Sequence, residues 1–96
     1  MKTYEAVVIF TSDENPYREA REAVKKEFET AGIVITKEEE MGEKLLAYPV
    51  GKHDRGRYVL YTIEGTAEAL KTVSRTFKLR AEILKHLITR QEVAAR

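Results

Sequence analysis

The side chains here that could move a proton, attack a carbonyl or hold a metal are few and scattered: His53, His86, Ser12, Ser74 and the run Glu38, Glu39, Glu40. Imidazole chemistry needs a neighbour that orients the ring or takes its proton. The two histidines lie far apart in the chain and only Asp54 adjoins one of them, so surface or packing roles are expected for both. Ser12 falls in a polar stretch that reads as a turn or helix cap, and Ser74 in a helical pattern, so neither sits in a nucleophile elbow. With no cysteine there is no thiolate ligand, thiol nucleophile or disulfide. The three glutamates read as a solvated strand face. No catalytic residue, metal site or cofactor is expected.

What remains is the chemistry of binding. The chain carries 17 basic and 16 acidic residues, so net charge selects no partner, but its distribution is uneven. Residues 1–50 hold 7 basic and 11 acidic side chains, 51–70 hold 3 of each, and 71–96 hold 7 basic and 2 acidic. A basic end suggests an anionic neighbour. Lys52, Arg55 and Arg57 around a glycine-flanked turn, with Arg75, Lys78, Arg80, Lys85 and Arg90 beyond, are of the type that touches phosphates if they share a face.

The elements that position these residues follow from periodicity. Residues 3–10 alternate, with Tyr4, Ala6, Val8 and Phe10 on one face and Thr3, Glu5, Val7 and Ile9 on the other; apolar residues on both faces predict a central strand. In "TSDENP", Ser12, Asp13 or Asn15 can cap a helix whose first turn accepts Pro16. Tyr17, Ala20, Val24, Phe28 and Ala31 then form one helical stripe, ended by Gly32. "IVITKEEEMG" and "EKLLAYPV" predict a long second strand bulged near Gly42. Pro49 cannot donate to a ladder, so this strand belongs at a sheet edge. "GKHDRG" predicts a hairpin turn, and "RYVLYTIE" a strand with Val59, Tyr61 and Ile63 on one face and Tyr58, Leu60 and Thr62 on the other. Thr66 can cap a second helix striped by Ala67, Leu70, Val73 or Ser74, and Phe77, and "EILKHLIT" is a last short strand.

The order βαββαβ, with right-handed crossovers, predicts a ferredoxin-like α+β fold: a four-stranded antiparallel sheet with both helices on one face. Strands one and three are then central and strands two and four are edges, in agreement with Pro49. Val7, Ile9, Tyr58 and Leu60 would lie on the uncovered sheet face, an apolar docking surface. Enzymes of this topology that bind acyl phosphates need an anion cradle in the first β–α loop, but "TSDENPYR" is acidic and lacks glycine. A self-sufficient RNA-recognition module stacks bases on aromatics of strands one and three, and here that face offers one, Tyr58. The chain is expected to fold as a single domain over residues 1–92 with a short tail at 93–96. It has no run approaching the ~18 apolar residues of a membrane span, so a soluble, cytoplasmic protein is expected.

With these residues set out, the sequence resembles bacterial small-subunit ribosomal protein six. The resemblance rests on Tyr4 and Glu5 in the first strand, on Leu46, Ala47, Tyr48, Pro49, Val50 and Lys52 followed by a short turn and an aromatic strand, and on the terminal "TFKLRAEILKHLITR". It covers residues 2–92. Where many relatives carry a basic pair before this motif, the present chain has Glu43, Lys44 and Leu45. The resemblance implies a non-catalytic ribosomal scaffold that pairs with ribosomal protein eighteen and, as that heterodimer, binds the central domain of 16S ribosomal RNA, without a small-molecule substrate. On this basis Lys2, Lys52, Arg55, Arg57 and Arg80 are expected to face RNA, and Tyr4, Glu5, Val7, Tyr48, Tyr58 and Leu60 to face the protein partner. A stand-alone ferredoxin-like protein- or ligand-binding module is the alternative.

Overall fold

The computed structural model describes residues 2–50 and 53–90, the side chains of 47–50 excepted. Its elements are β1 (Lys2–Phe10), α1 (Glu14–Thr30), β2 (Val34–Val50), β3 (His53–Gly65), α2 (Ala67–Lys78) and β4 (Ile83–Arg90). The sheet order is β2-β3-β1-β4, with every neighbouring pair antiparallel. This is the ferredoxin-like arrangement expected, and β2, which carries Pro49, is an edge strand. The boundary expected at residue 92 and the 93–96 tail lie outside the described residues.

Alternation decides which side of the sheet holds the core. Ala6, Val8 and Phe10 of β1 and Val59, Tyr61 and Ile63 of β3 are all fully buried, because both helices lie across that face. Tyr17, Ala20, Val24 and Phe28 of α1 and Leu70, Val73 and Phe77 of α2 close over them. Phe28 makes edge-on contacts with Tyr61 and Phe77, each with ring centroids 5.6 Å apart. Burying a side chain of this size stabilises the fold by about 1.5–3 kcal/mol.

The caps follow the sequence signals in part. Thr66 accepts a hydrogen bond from the Ala69 amide at 3.2 Å, satisfying one of the first-turn donors of α2. Asp13 occupies the N-cap position of α1 without a side-chain cap bond, Pro16 stands in the first turn, and Gly32 follows Ala31 with a φ of 80°. The bulge near Gly42 is present: the β2–β3 register shifts between Glu40 and Gly42, and Gly42 has a φ of 89°.

The hairpin differs from expectation. His53, Asp54, Arg55 and Gly56 were expected in the turn, yet they extend β3, and Val50 pairs with His53. Within this arm, Gly56 lets two side chains close over it. A Cβ built there would meet Ile9 Cγ2 at 2.5 Å and Leu46 Cδ2 at 3.5 Å. Leu46 and Ile9 are only 8% and 9% exposed as a result, which anchors the long β2–β3 arm to the sheet.

Candidate protein and nucleic-acid interfaces

On the sheet face that the helices leave uncovered, the registers bring side chains into cross-strand rows. Read from β2 to β4, one row is Glu39, Leu60, Val7 and Leu87, and the next is Gly42, Tyr58, Ile9 and Lys85. A polar row, Lys37, Thr62, Glu5 and Thr89, borders them. Leu60, Val7 and Tyr58 are half-buried and Leu87 is 59% exposed. The Lys44 ammonium lies 5.6 Å from the Tyr58 ring centre. Four of the six expected partner-facing residues, Glu5, Val7, Tyr58 and Leu60, thus share one face. Tyr4 does not. It pairs with Ile63 on the helix-covered side and packs against the core beside Leu70 and Ile88, as its alternation with Ala6 and Val8 requires. The Tyr48 side chain lies outside the described residues. Leu87, opposite Val7, joins this face although no faces were assigned to the last strand from the sequence.

The basic candidates separate as well. Arg57 is opposite Phe10 and so points to the helix side. Its Nη2 donates to Glu14 Oε1 at 3.0 Å, and its guanidinium lies 4.5 Å from the Tyr17 ring centre. Its side chain is 25% exposed and is held by Glu14 on the helix side of the sheet. Arg55 is exposed near the hairpin end of β3, and Arg80 is half-buried in the turn before β4, with its Nε buried and unpaired. Lys2 is exposed at the other end of the sheet, opposite Gly65. Lys52 lies outside the described residues.

The three glutamates are not a uniformly solvated face, because strand alternation splits them. Glu39 is on the open side, whereas Glu38 and Glu40 turn toward α1. Arg21 donates to Glu38 Oε2 from Nε at 3.1 Å and from Nη2 at 2.7 Å, and Lys25 Nζ is 3.2 Å from Glu38 Oε1. Arg21 also reaches Glu40 at 3.3 Å and the Tyr17 hydroxyl at 3.0 Å, and Tyr17 donates to Glu40. Burial opposes the charge on Glu38, but its bonds to Arg21 and Lys25 prevail and hold the carboxyl below its ordinary range. The Arg18 and Arg57 bonds do the same for Glu14. Burial, helped by the bond to Glu40, pushes the Tyr17 phenol up.

Among the described residues the candidate chemistry is not brought together into one centre. His53 opens β3, whereas His86 lies under α2, opposite Val8, with its ring edge-on to Phe77 at 5.5 Å. Ser74 Oγ and His86 Nε2 share a hydrogen bond at 2.6 Å. Among the described residues no side chain bonds the other imidazole nitrogen, so the pair lacks the third group that would orient a base. Burial, and then Lys78, keep this imidazole below its ordinary value and hence neutral at pH 7. Among the described residues no group of three or more His, Asp or Glu side chains could hold a metal ion, and no helix is long and apolar enough to cross a membrane.

Fold and surface together define a ferredoxin-like domain with an apolar sheet face bordered by a polar row. Comparison with known proteins gives the family: residues 3–90 match the model for ribosomal protein S6. The small ribosomal subunit protein bS6 of Treponema pallidum is 32% identical over 90 residues, covering 94% of this chain and 97% of its own length. That of Treponema denticola is 33% identical, covering 96% and 99%. The crystal structure of 30S ribosomal protein S6 from Thermotoga maritima superposes with a TM-score of 0.82 at 24% identity, over 94% of this chain and 87% of that one. The C-terminal domain of the MgtC protein from Mycobacterium tuberculosis shares the fold at a TM-score of 0.65 and 14% identity, over 98% and 92%. The chain belongs to the ribosomal protein S6 family, and its role is structural, in the small ribosomal subunit, rather than enzymatic.

Proposed function

We propose that this chain pairs with ribosomal protein eighteen through its uncovered sheet face and, as that heterodimer, binds the central domain of 16S ribosomal RNA. The observation that carries this reading is the pair of apolar rows, Leu60, Val7 and Leu87 beside Tyr58 and Ile9, on a face that neither helix covers. A contiguous apolar patch of this kind marks an interaction site. A net charge of +1 fits a protein for which most adhesion is to another protein, because gripping RNA alone draws on many cationic contacts. Glu5, Val7, Tyr58, Leu60 and Leu87 face the partner in this reading, and the family resemblance adds Tyr48. Arg55, Arg80 and Lys2 are the candidates for RNA, with Lys52 added by resemblance; Arg57, engaged by Glu14, is the weakest of the set.

The test is a gel-shift titration on a central-domain RNA fragment, using the purified chain alone and with ribosomal protein eighteen. Tight binding only when the partner is present is the expected result. Failure in both conditions, with each component shown to be folded, overturns the reading.

A further inference from the structure

Charge on this molecule is divided sideways. The flank made by α1 and β2 carries nine carboxylates and six cations, whereas residues 67–90, which make α2, the following turn and β4, carry six cations and two carboxylates. The two flanks also differ in how their charges are used. Arg18, Arg21, Lys25 and Lys37, four of the six cations on the acidic flank, form ion pairs, as does Arg57 of β3 with Glu14. Among the described residues, none of Lys71, Arg75, Lys78, Arg80, Lys85 and Arg90 makes an ion pair, although Glu68 and Glu82 are close in sequence.

We infer that the α2–β4 flank is the surface that meets the RNA phosphate backbone, with Lys71, Arg75 and Lys78 as its centre. The inference rests on the ribosomal reading and adds a location to it. Lys71, Arg75 and Lys78 recur at intervals of four and three, which places them on one stripe of the helix, and all three are exposed. Placement in the last turn stabilises the helix through its dipole for Arg75 and Lys78. Lys71 stands further from that end, and the β4 cations gain nothing from it, so helix stability does not account for the set. A polyanion supplies the counter-charge that the flank lacks internally, and multiple Lys and Arg contacts to phosphates are the usual source of RNA affinity. The geometry also leaves room for both partners: the protein partner occupies the open sheet face, and the RNA lies along the adjoining flank.

The deciding experiment compares wild type with the triple variant Lys71→Gln, Arg75→Gln, Lys78→Gln, and with Lys26→Gln on the opposite flank as a control, each checked for helicity by circular dichroism. Binding is titrated against salt in two arms: the heterodimer on central-domain RNA, and the chain alone on poly(U) at low salt. Each lost phosphate contact lowers the slope of log K against log salt by about 0.7–0.9, so the triple variant should lose about 2–3 in slope, and the control nothing. A triple variant with the wild-type slope in both arms overturns the inference, as does a wild-type chain whose binding to poly(U) is absent or independent of salt. Failure of the ribosomal reading looks different: partner-dependent RNA binding is missing while the flank still sets the poly(U) slope.

Discussion

Gly56→Ala tests how the long hairpin is held to the sheet. The new methyl carbon would lie 2.5 Å from Ile9 Cγ2 and 3.2 Å from the Phe10 carbonyl oxygen, where ordinary carbon contacts need about 3.5–4.0 Å. Ile9 cannot swing aside easily, because it is 9% exposed and a β-branched side chain is stiff at χ1. The Phe10 oxygen belongs to the backbone of a central strand. Overpacking of this kind costs about 1–3 kcal/mol, and the restricted unfolded chain offsets about 0.4–1 kcal/mol of that. A net loss of about 1–2 kcal/mol is expected, and each kcal/mol lowers the melting temperature of a domain this size by about 4–8 °C. Urea and thermal unfolding of the two single variants and the double variant with Ile9→Ala form a double-mutant cycle. Removing Cγ2 should cut the cost of the alanine by more than half. The reasoning fails if Gly56→Ala is neutral, or if its cost is the same with and without the Ile9 side chain.

Leu60→Asp and Leu87→Asp should each weaken binding to ribosomal protein eighteen at least tenfold while the isolated chain keeps its circular dichroism spectrum; affinity within twofold of wild type by calorimetry would count against the sheet face. Arg57→Gln should lower stability by about 1 kcal/mol, the scale of a partly exposed ion pair with a cation–π contact, and leave the RNA salt slope unchanged, whereas a reduced slope would place Arg57 on the RNA surface. Stability should fall in two stages on acidification, because His86 and the carboxyls Glu38 and Glu14 have folded-state pKa values below their unfolded ones. The His86 contribution stands above an imidazole's usual 6.5 and is lost as pH falls through its lower folded value, and the Glu38 contribution does the same below 4.5. Urea midpoints from pH 8 to pH 3 should show both stages, with His86→Gln removing the upper and Glu38→Gln weakening the lower; a midpoint that rises toward acid would refute the assignment.

The parts of the fold that were legible in the sequence are those governed by local periodicity. The stripe from Tyr17 to Phe28, the Thr66 cap, the bulge at Gly42 and the edge position forced by Pro49 all follow from spacing or from a single residue's backbone chemistry. The same rule, carried two residues further, places Arg57 with Val59 and Tyr61, Tyr4 with Ala6, and Glu38 apart from Glu39. For Tyr4 and Arg57 the interface roles came from the family resemblance, while strand phase sets both on the helix-covered side. Leu87 and Leu46 are a different case. Their places depend on what lies opposite, Val7 for Leu87 and the space over Gly56 for Leu46, and local spacing does not report a cross-strand partner.

Charge shows how topology turns a property of the sequence into one of the surface. Acidic excess in the first half and basic excess in the last quarter would mix in many folds. Here β1 and β3 occupy the middle of the sheet, so the first crossover leaves α1 and β2 together on one side, and the second leaves α2 and β4 on the other. Asymmetry along the chain thereby becomes asymmetry across the molecule. Pairing then sharpens it, since α1 brings Arg21 and Lys25 against Glu38 and neutralises part of the acidic flank, while the cations of α2 and β4 meet no comparable carboxylates. In the proposed arrangement, protein and nucleic acid meet adjoining faces through different forces: area burial, which salt barely weakens, and phosphate contact, which salt weakens steeply.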